Sequence, residues 1–272
     1  MPDAELDVEL GAAMVARDMY DALDVPALLA ELAALAGPLA DAAFDALPLR
    51  ARVLAVSEHF SALGFHGNTD DYYDPKNSLL PDVLERKTGI PITLSIVWCS
   101  MARRAGLIAR GVAFPGHFLV RVDATTTVVD PDSRAEPIVV DAFDGGRIVD
   151  EPAATLLLRR ALGEGATLHA SLFAPATSRA VLVRMLSNLE STWAKRGEHA
   201  RAFIAGDRIV TLVPDSARML RERAALALHI GATEVARADL ARVIELEPQA
   251  PDIPHIEARL AKLVTSSKAM LH

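Results

Sequence analysis

The chain has 272 residues, 51% apolar and 24% charged, with 28 Lys plus Arg against 36 Asp plus Glu and a single cysteine. That apolar share excludes a disordered chain, and one thiol excludes an internal disulfide framework and a cysteine-rich zinc site. A formal charge of −8 argues against general nucleic-acid affinity, which needs clustered basic charge.

The opening residues, Met1 to Asp7, are acidic and lack the basic-then-apolar pattern of a signal peptide. No apolar run approaches the ~20 residues that cross a bilayer. The expectation is a cytoplasmic protein with no membrane partner. A prior of roughly one domain per 150 residues suggests two parts.

The charge is uneven. Residues 1–60 hold 3 basic and 11 acidic residues, 61–170 hold 11 and 14, and 171–272 hold 14 and 11. Either these are solvated helix faces of differing sign, or an acidic N-terminal bundle meets the basic tail or a basic partner.

Residues 1–63 read as three helices forming an N-terminal cap. Ala12–Val15 belongs to the first. Pro26 to Leu39 is rich in Ala and Leu with Pro26 near its start. Leu49 to Leu63 places Val53, Leu54, Val56, Phe60 and Leu63 on one broad face. Residues 64–77 cannot continue that helix, and the spacing predicts an ordered loop packed by Phe65, Tyr72 and Tyr73.

Ser78 can cap a short helix that has Pro81 in its first turn and ends at Gly89. Ile92 to Ala105, closed by Gly106, is apolar on most sides and reads as a central buried helix. The period then changes to strands: Leu107–Phe114, Phe118–Val122, Thr126–Val129 and Ile138–Val140, with a turn at Gly145-Gly146. Helices followed by an antiparallel meander make residues 64–170 an α+β core.

From about Ala176 the chain is helical again and repeats. Pro214 and Pro248 are 34 residues apart, and Ala202, Arg208 and Leu212 match Ala236, Arg242 and Leu246 at the same offset. That period is the one of tetratricopeptide helix pairs. Residues 171–272 therefore read as a small all-α domain of about two units, fewer than the roughly three that stand alone.

The stretch 68–131 carries the most information. It contains Asn77-Ser78, then Gly89-Ile90-Pro91-Ile92-Thr93-Leu94-Ser95, then Pro115-Gly116-His117-Phe118-Leu119, and later Asp130-Pro131. On these motifs the chain resembles the SirB family, bacterial proteins with a transglutaminase-like domain followed by TPR-like helices. The resemblance covers almost the whole chain. It implies a papain-like core in which a cysteine at the N-terminus of the central helix is followed by a His on the next strand region and an Asp on the strand after it.

The chemistry behind that order is general. A helix N-terminus and a nearby imidazolium favour a thiolate; the His transfers the proton, and the Asp holds its tautomer. His117 and Asp130 match the His and Asp positions, and pairing of 118–122 with 126–130 would bring them together.

The nucleophile is where this sequence departs. Pro91 to Ser95 contain no cysteine, and Cys99 lies one turn further on. Three readings of the nucleophile follow: Ser95 or Thr93 as a hydroxyl nucleophile, Cys99 as a displaced thiol, or Cys99 as a small apolar filler with a raised pKa and no nucleophile at all. Asn77 either reaches the same pocket or closes the loop. Asp70, Asp71 and Asp74 do not have EF-hand spacing and read as loop or cap residues. The eight His residues are not closely paired in sequence, so neither a metal nor a cofactor is implied.

Three functions compete: a non-catalytic module that binds a protein or peptide, an acyl-transfer or hydrolytic enzyme acting on amides, and a scaffold with an empty cleft. The missing cysteine and the helical repeat favour the first.

Overall fold

Asp7 starts the first helix, α1 (Val8–Arg17), by accepting the Glu9 and Leu10 N–H groups at 2.8 and 3.1 Å. Asp24 does the same for α2 (Val25–Ala34), bonding the Ala27 N–H at 3.0 Å, with Pro26 in the first turn. These caps satisfy donors that a helix start otherwise leaves open. The computed structural model describes residues 3–39, 42–124 and 136–269.

The helix expected over Pro26–Leu39 stops at Ala34, and Gly37–Leu39 make a 3-10 turn instead. Pro38 is the reason: it has no N–H, and its ring would strike the carbonyl four residues back. A one-turn α3 (Ala42–Asp45) precedes α4 (Leu49–Ala62), which buries Val53, Val56 and Phe60. Leu54, expected on that face, is 42% exposed.

Two short parallel strands come next, β1 (His66–Gly67) and β2 (Thr88–Gly89), with α5 (Leu80–Arg86) between them. Leu79, not Ser78, stands at the N-cap of α5, and Lys87 at φ +56° ends it before Gly89 is reached. Phe65 is buried and stacked on Phe60, but Tyr72 and Tyr73 are exposed. The loop is held by amides instead. Asn68 Oδ1 accepts the Asp70 and Asp71 N–H groups, and its Nδ2 donates to Asn77 Oδ1 at 3.0 Å. Asp74 bonds the Lys76 N–H and pairs with Arg86 at 2.7 Å.

The central helix α6 (Pro91–Arg104) is buried at every position from Pro91 to Ala102. It packs on α1, α2, α4 and α5 and on the sheet strands β3 (Ile108–Val112) and β4 (Leu119–Asp123). The Trp98 indole N–H reaches Ser57 Oγ on α4 at 3.3 Å, and that hydroxyl donates to the Gly146 carbonyl at 2.6 Å. The chain comes so close there that a Cβ on Gly146 would meet Ser57 at 2.7 Å, and its φ is +83°. Glycine is required on both counts.

The sheet is antiparallel with order β3–β4–β5–β6, where β5 is Ile138–Asp141 and β6 is Arg147–Ile148. β5 pairs along β4 with Val120 opposite Val140. The edge of β4 expected to receive 126–130 is thus taken by β5, and the other edge by β3. Residues 126–130 themselves lie outside the described residues. Helix α7 (Glu151–Leu162) covers one side through Ala154 and Leu158, which pack with Val112, Phe114 and Leu119.

The chain divides into two units, Met1–Met185 and Leu186–His272, with the boundary inside α8 (Ser178–Lys195). The second unit adds α9 (His199–Leu212), α10 (Ala217–His229), α11 (Thr233–Leu246) and α12 (Ile253–Ala269). α9 and α11 start and stop 34 residues apart, and the matched Ala202 and Ala236 are both fully buried. Arg223 on α10 ties them together, bonding Asp207 on α9 at 2.6 Å and both oxygens of buried Asp239 on α11.

Part of the N-terminal acidity is used inside the first unit. Glu9 on α1 is buried and accepts from Arg103 at 2.7 Å and from Arg104 at 3.1 and 2.8 Å. Burial alone would raise the Glu9 carboxyl, but the hydrogen bonds and charges of Arg104 and Arg103 hold it below its ordinary value. Glu9→Gln is therefore expected to lose about 1–2 kcal/mol in a urea melt near neutral pH, the arginines being partly solvated. A carboxyl held low contributes stability that is present above its unfolded pKa and lost as pH falls through the folded one. The gap between the two proteins should accordingly close on acidification, and melts that stay parallel would show that Glu9 contributes nothing through its charge.

Candidate functional site

Phe114-Pro115-Gly116-His117 form a tight turn, closed by the His117 N–H on the Phe114 carbonyl at 3.0 Å. Proline fits its second position, and the third has φ +67°, which is why a glycine stands there. The turn presents His117 at the start of β4. Register places Asp141, the last residue of β5, diagonally opposite on the neighbouring strand. His117 Nε2 and Asp141 Oδ2 are 2.8 Å apart, and both side chains are largely buried.

Asp141 is itself held. Its Oδ1 accepts the Phe143 N–H at 3.0 Å, and its carbonyl accepts the Gly146 N–H at 2.8 Å. A carboxylate can only accept, so Nε2 of His117 carries the proton and Nδ1 is left as the basic nitrogen. The Phe143 ring stands edge-on to His117 with centroids 6.0 Å apart, and Tyr72 stands against Phe143 at 6.2 Å. The Phe143 carbonyl accepts from Gly67 of β1, which lies opposite Gly89 of β2, two residues before Pro91. The turn that carries the His–Asp pair is therefore bonded to the strands that lead into α6.

At the helix start there is no thiol. Ile90 is the N-cap, and Pro91 and Ile92 begin the first turn, all buried. Thr93 Oγ1 accepts the Ile90 N–H at 3.2 Å and donates to the Asn77 carbonyl at 2.6 Å. Asn77 is fully buried, and its Nδ2 bonds the Asp71 and Tyr72 carbonyls at 2.7 and 3.3 Å. Both residues spend their polar atoms joining the loop to the helix. Ser95 Oγ is buried and has no hydrogen-bond partner, His117 included. Cys99 is buried, and burial pushes its thiol up to about 12 against the lowering effect of Arg103.

Asp130 lies outside the described residues; the acid bonded to His117 is Asp141. The strand expected over Ile138–Val140 runs one residue further, and that residue, a strand-terminal Asp before the Phe-Asp-Gly-Gly turn, is the signal for it in the sequence. Among the described residues no three His, Cys, Asp or Glu stand close enough to hold a metal ion.

A family model described as the transglutaminase-like superfamily matches residues 26–187. The chain belongs to that superfamily. A tetratricopeptide repeat model matches residues 189–261. The transglutaminase-like chain is 37% identical over 216 residues to a UPF0162 protein of Xylella fastidiosa, covering 78% of this chain and 74% of that one. A UPF0162 protein of Vibrio cholerae is 25% identical over 209 residues, with 77% and 74% covered. F-box only protein 21 of Homo sapiens is 30% identical over 195 residues, which is 68% of this chain but 29% of that protein. About two thirds of this chain is thus similar to part of a much longer one.

Two measurements check this site. Nitrogen NMR should find His117 as the Nε2–H tautomer, and Asp141→Ala should abolish that preference while costing about 1–3 kcal/mol. A native protein with the Nδ1–H tautomer would contradict the geometry. Native Cys99 should resist iodoacetamide at about pH 8 and react once guanidinium unfolds the chain.

Proposed function

We propose that this protein is a transglutaminase-like module of the SirB type that binds a protein or peptide partner and does not catalyse acyl transfer. The observation that carries this reading is the start of α6. Proline and isoleucine occupy it, the nearest hydroxyl is bonded to Asn77 and Ile90, and the one thiol has its pKa raised to about 12. A nucleophile needs a base within hydrogen-bond reach, about 3.2 Å. Neither Ser95 nor Thr93 has His117 as a hydrogen-bond partner.

What remains is a recognition surface. His117 and Asp141 form a polar floor, and Phe143 and the exposed Tyr72 and Tyr73 stand beside it. Tyrosines at 41% and 59% exposure present contact area at low entropic cost. The exposed Asp70 and Asp71 flank them, so a basic segment suits this surface through charge and cation–π contact. The repeat helices of the second unit support the same class, since such helix pairs expose surfaces that receive peptides. Absence of a membrane-crossing helix among the described residues is compatible with this reading.

The competing reading is an amide hydrolase or acyltransferase using Ser95, Thr93 or Cys99 with His117. It is separated by covalent probes. Fluorophosphonate and epoxide probes should label neither the native protein nor His117→Ala. Binding of a fluorescent oligo-arginine peptide should be lost in the Tyr72→Ala/Tyr73→Ala double variant. Labelling that vanishes in His117→Ala would restore the enzyme and sink this proposal.

A further inference from the structure

A cavity of about 350 Å³ lies inside the first unit, between α1, α6, β3 and the start of α8. It shares no lining residue with the His117–Asp141 pair. Its volume falls at the small end of sites that hold small molecules, roughly 300–1,000 Å³.

One wall is a single stripe of α6. Ser95, Cys99 and Arg103 follow at intervals of four, so they lie one above another over about 12 Å of helix. The cavity is therefore elongated along the helix, with a hydroxyl towards one end and a guanidinium towards the other. Ile96 and Phe118 supply apolar wall between.

The polar groups are unevenly satisfied. Ser95 is 1% exposed and its hydroxyl has no partner, a state that costs free energy unless something supplies one. Arg103 gives one N–H to Glu9, whose other bonds come from Arg104, and Arg110 gives one to Asp123. A guanidinium has five N–H donors, so both arginines keep donors to spare. Asp3, also on the wall, has both oxygens on the backbone N–H groups of Ser178 and Arg179 at the start of α8. Its charge is offset there by the helix end. The cavity is left with two partly used cations at its wall and an unanswered hydroxyl on α6.

We infer that this cavity binds an elongated organic carboxylate. Its anion would sit on Arg103 and Arg110, its apolar middle against Ile96 and Phe118, and a hydrogen-bonding group at its far end would meet Ser95. The site is separate from the peptide surface, and neither depends on the other.

The test uses the full chain and a matched set of probes: 8-hydroxyoctanoate, octanoate and octanol, followed by calorimetry and amide NMR. The hydroxy acid should bind best, octanoate more weakly and octanol least, with shifts centred on α6 and β3. Arg110→Gln alters a half-exposed side chain and should fold; it should weaken the two acids about tenfold and leave octanol unchanged. Ser95→Ala removes a hydroxyl without a partner, so it should be as stable as the parent without ligand, and should erase the preference for the hydroxy acid over octanoate. Absence of binding by all three probes would overturn the site. So would acid binding that Arg110→Gln leaves intact, or a preference that survives Ser95→Ala.

Discussion

The N-terminal helices and one face of the sheet are arranged to cover one helix. α6 is buried from Pro91 to Ala102, and it carries Ile92, Leu94, Ile96, Val97, Trp98 and Met101 inward on all sides. At roughly 1.5–3 kcal/mol per buried large apolar side chain, those six supply on the order of 10 kcal/mol of gross driving force. No single neighbour can enclose a cylinder. The N-terminal helices therefore take one side and the sheet the other. Covering such a helix also demands partners for its polar atoms. Ser57 answers the Trp98 indole, Asn77 answers Thr93, and Glu9 answers the arginines at its C-terminal end.

The same enclosure accounts for the state of the site. A transglutaminase-like core needs a thiolate at the helix start, where the helix dipole and an imidazolium stabilise it. Here that turn is closed by Pro91 and by the Asn77–Thr93 bond, and the one cysteine sits buried further along the helix, on the wall between Ser95 and Arg103. His117 is oriented by Asp141 at 2.8 Å, and Asp141 by the Phe143 amide. A fixed imidazole beside exposed tyrosines suits the binding role proposed for this surface.

Much of this was legible along the chain. Pro-Gly before His117 encodes its own turn, Pro26 stands in the first turn of its helix, and the 34-residue offset of Pro214 and Pro248 sets the register of α9 and α11, whereas α7 (Glu151–Leu162) is not among the expected elements. Apart from the helix that Pro38 stops early, the places where expectation and structure part have non-local causes. Tyr72 and Tyr73 read as packing residues, yet the loop is closed by two asparagines whose bonds span it. The spacing predicts pairing of 118–122 with 126–130, but the edge of β4 goes to Ile138–Asp141. His199 and His229, thirty residues apart, stack with ring centroids 4.5 Å apart. No spacing rule announces that contact.

The sequence by itself determined the succession of helices, antiparallel strands and repeat helices, the buried character of α6, and the absence of cysteine from the first turn of that helix. These follow from local propensity, periodicity and composition, which act over a few residues or by simple count. Tertiary structure alone decided which carboxylate holds His117, which hydroxyls are consumed and which is left without a partner, and where Arg103 and Arg110 meet a cavity. Those outcomes depend on strand register and on which groups lose water together. Both are settled only when segments distant in sequence compete for the same edge and the same interior.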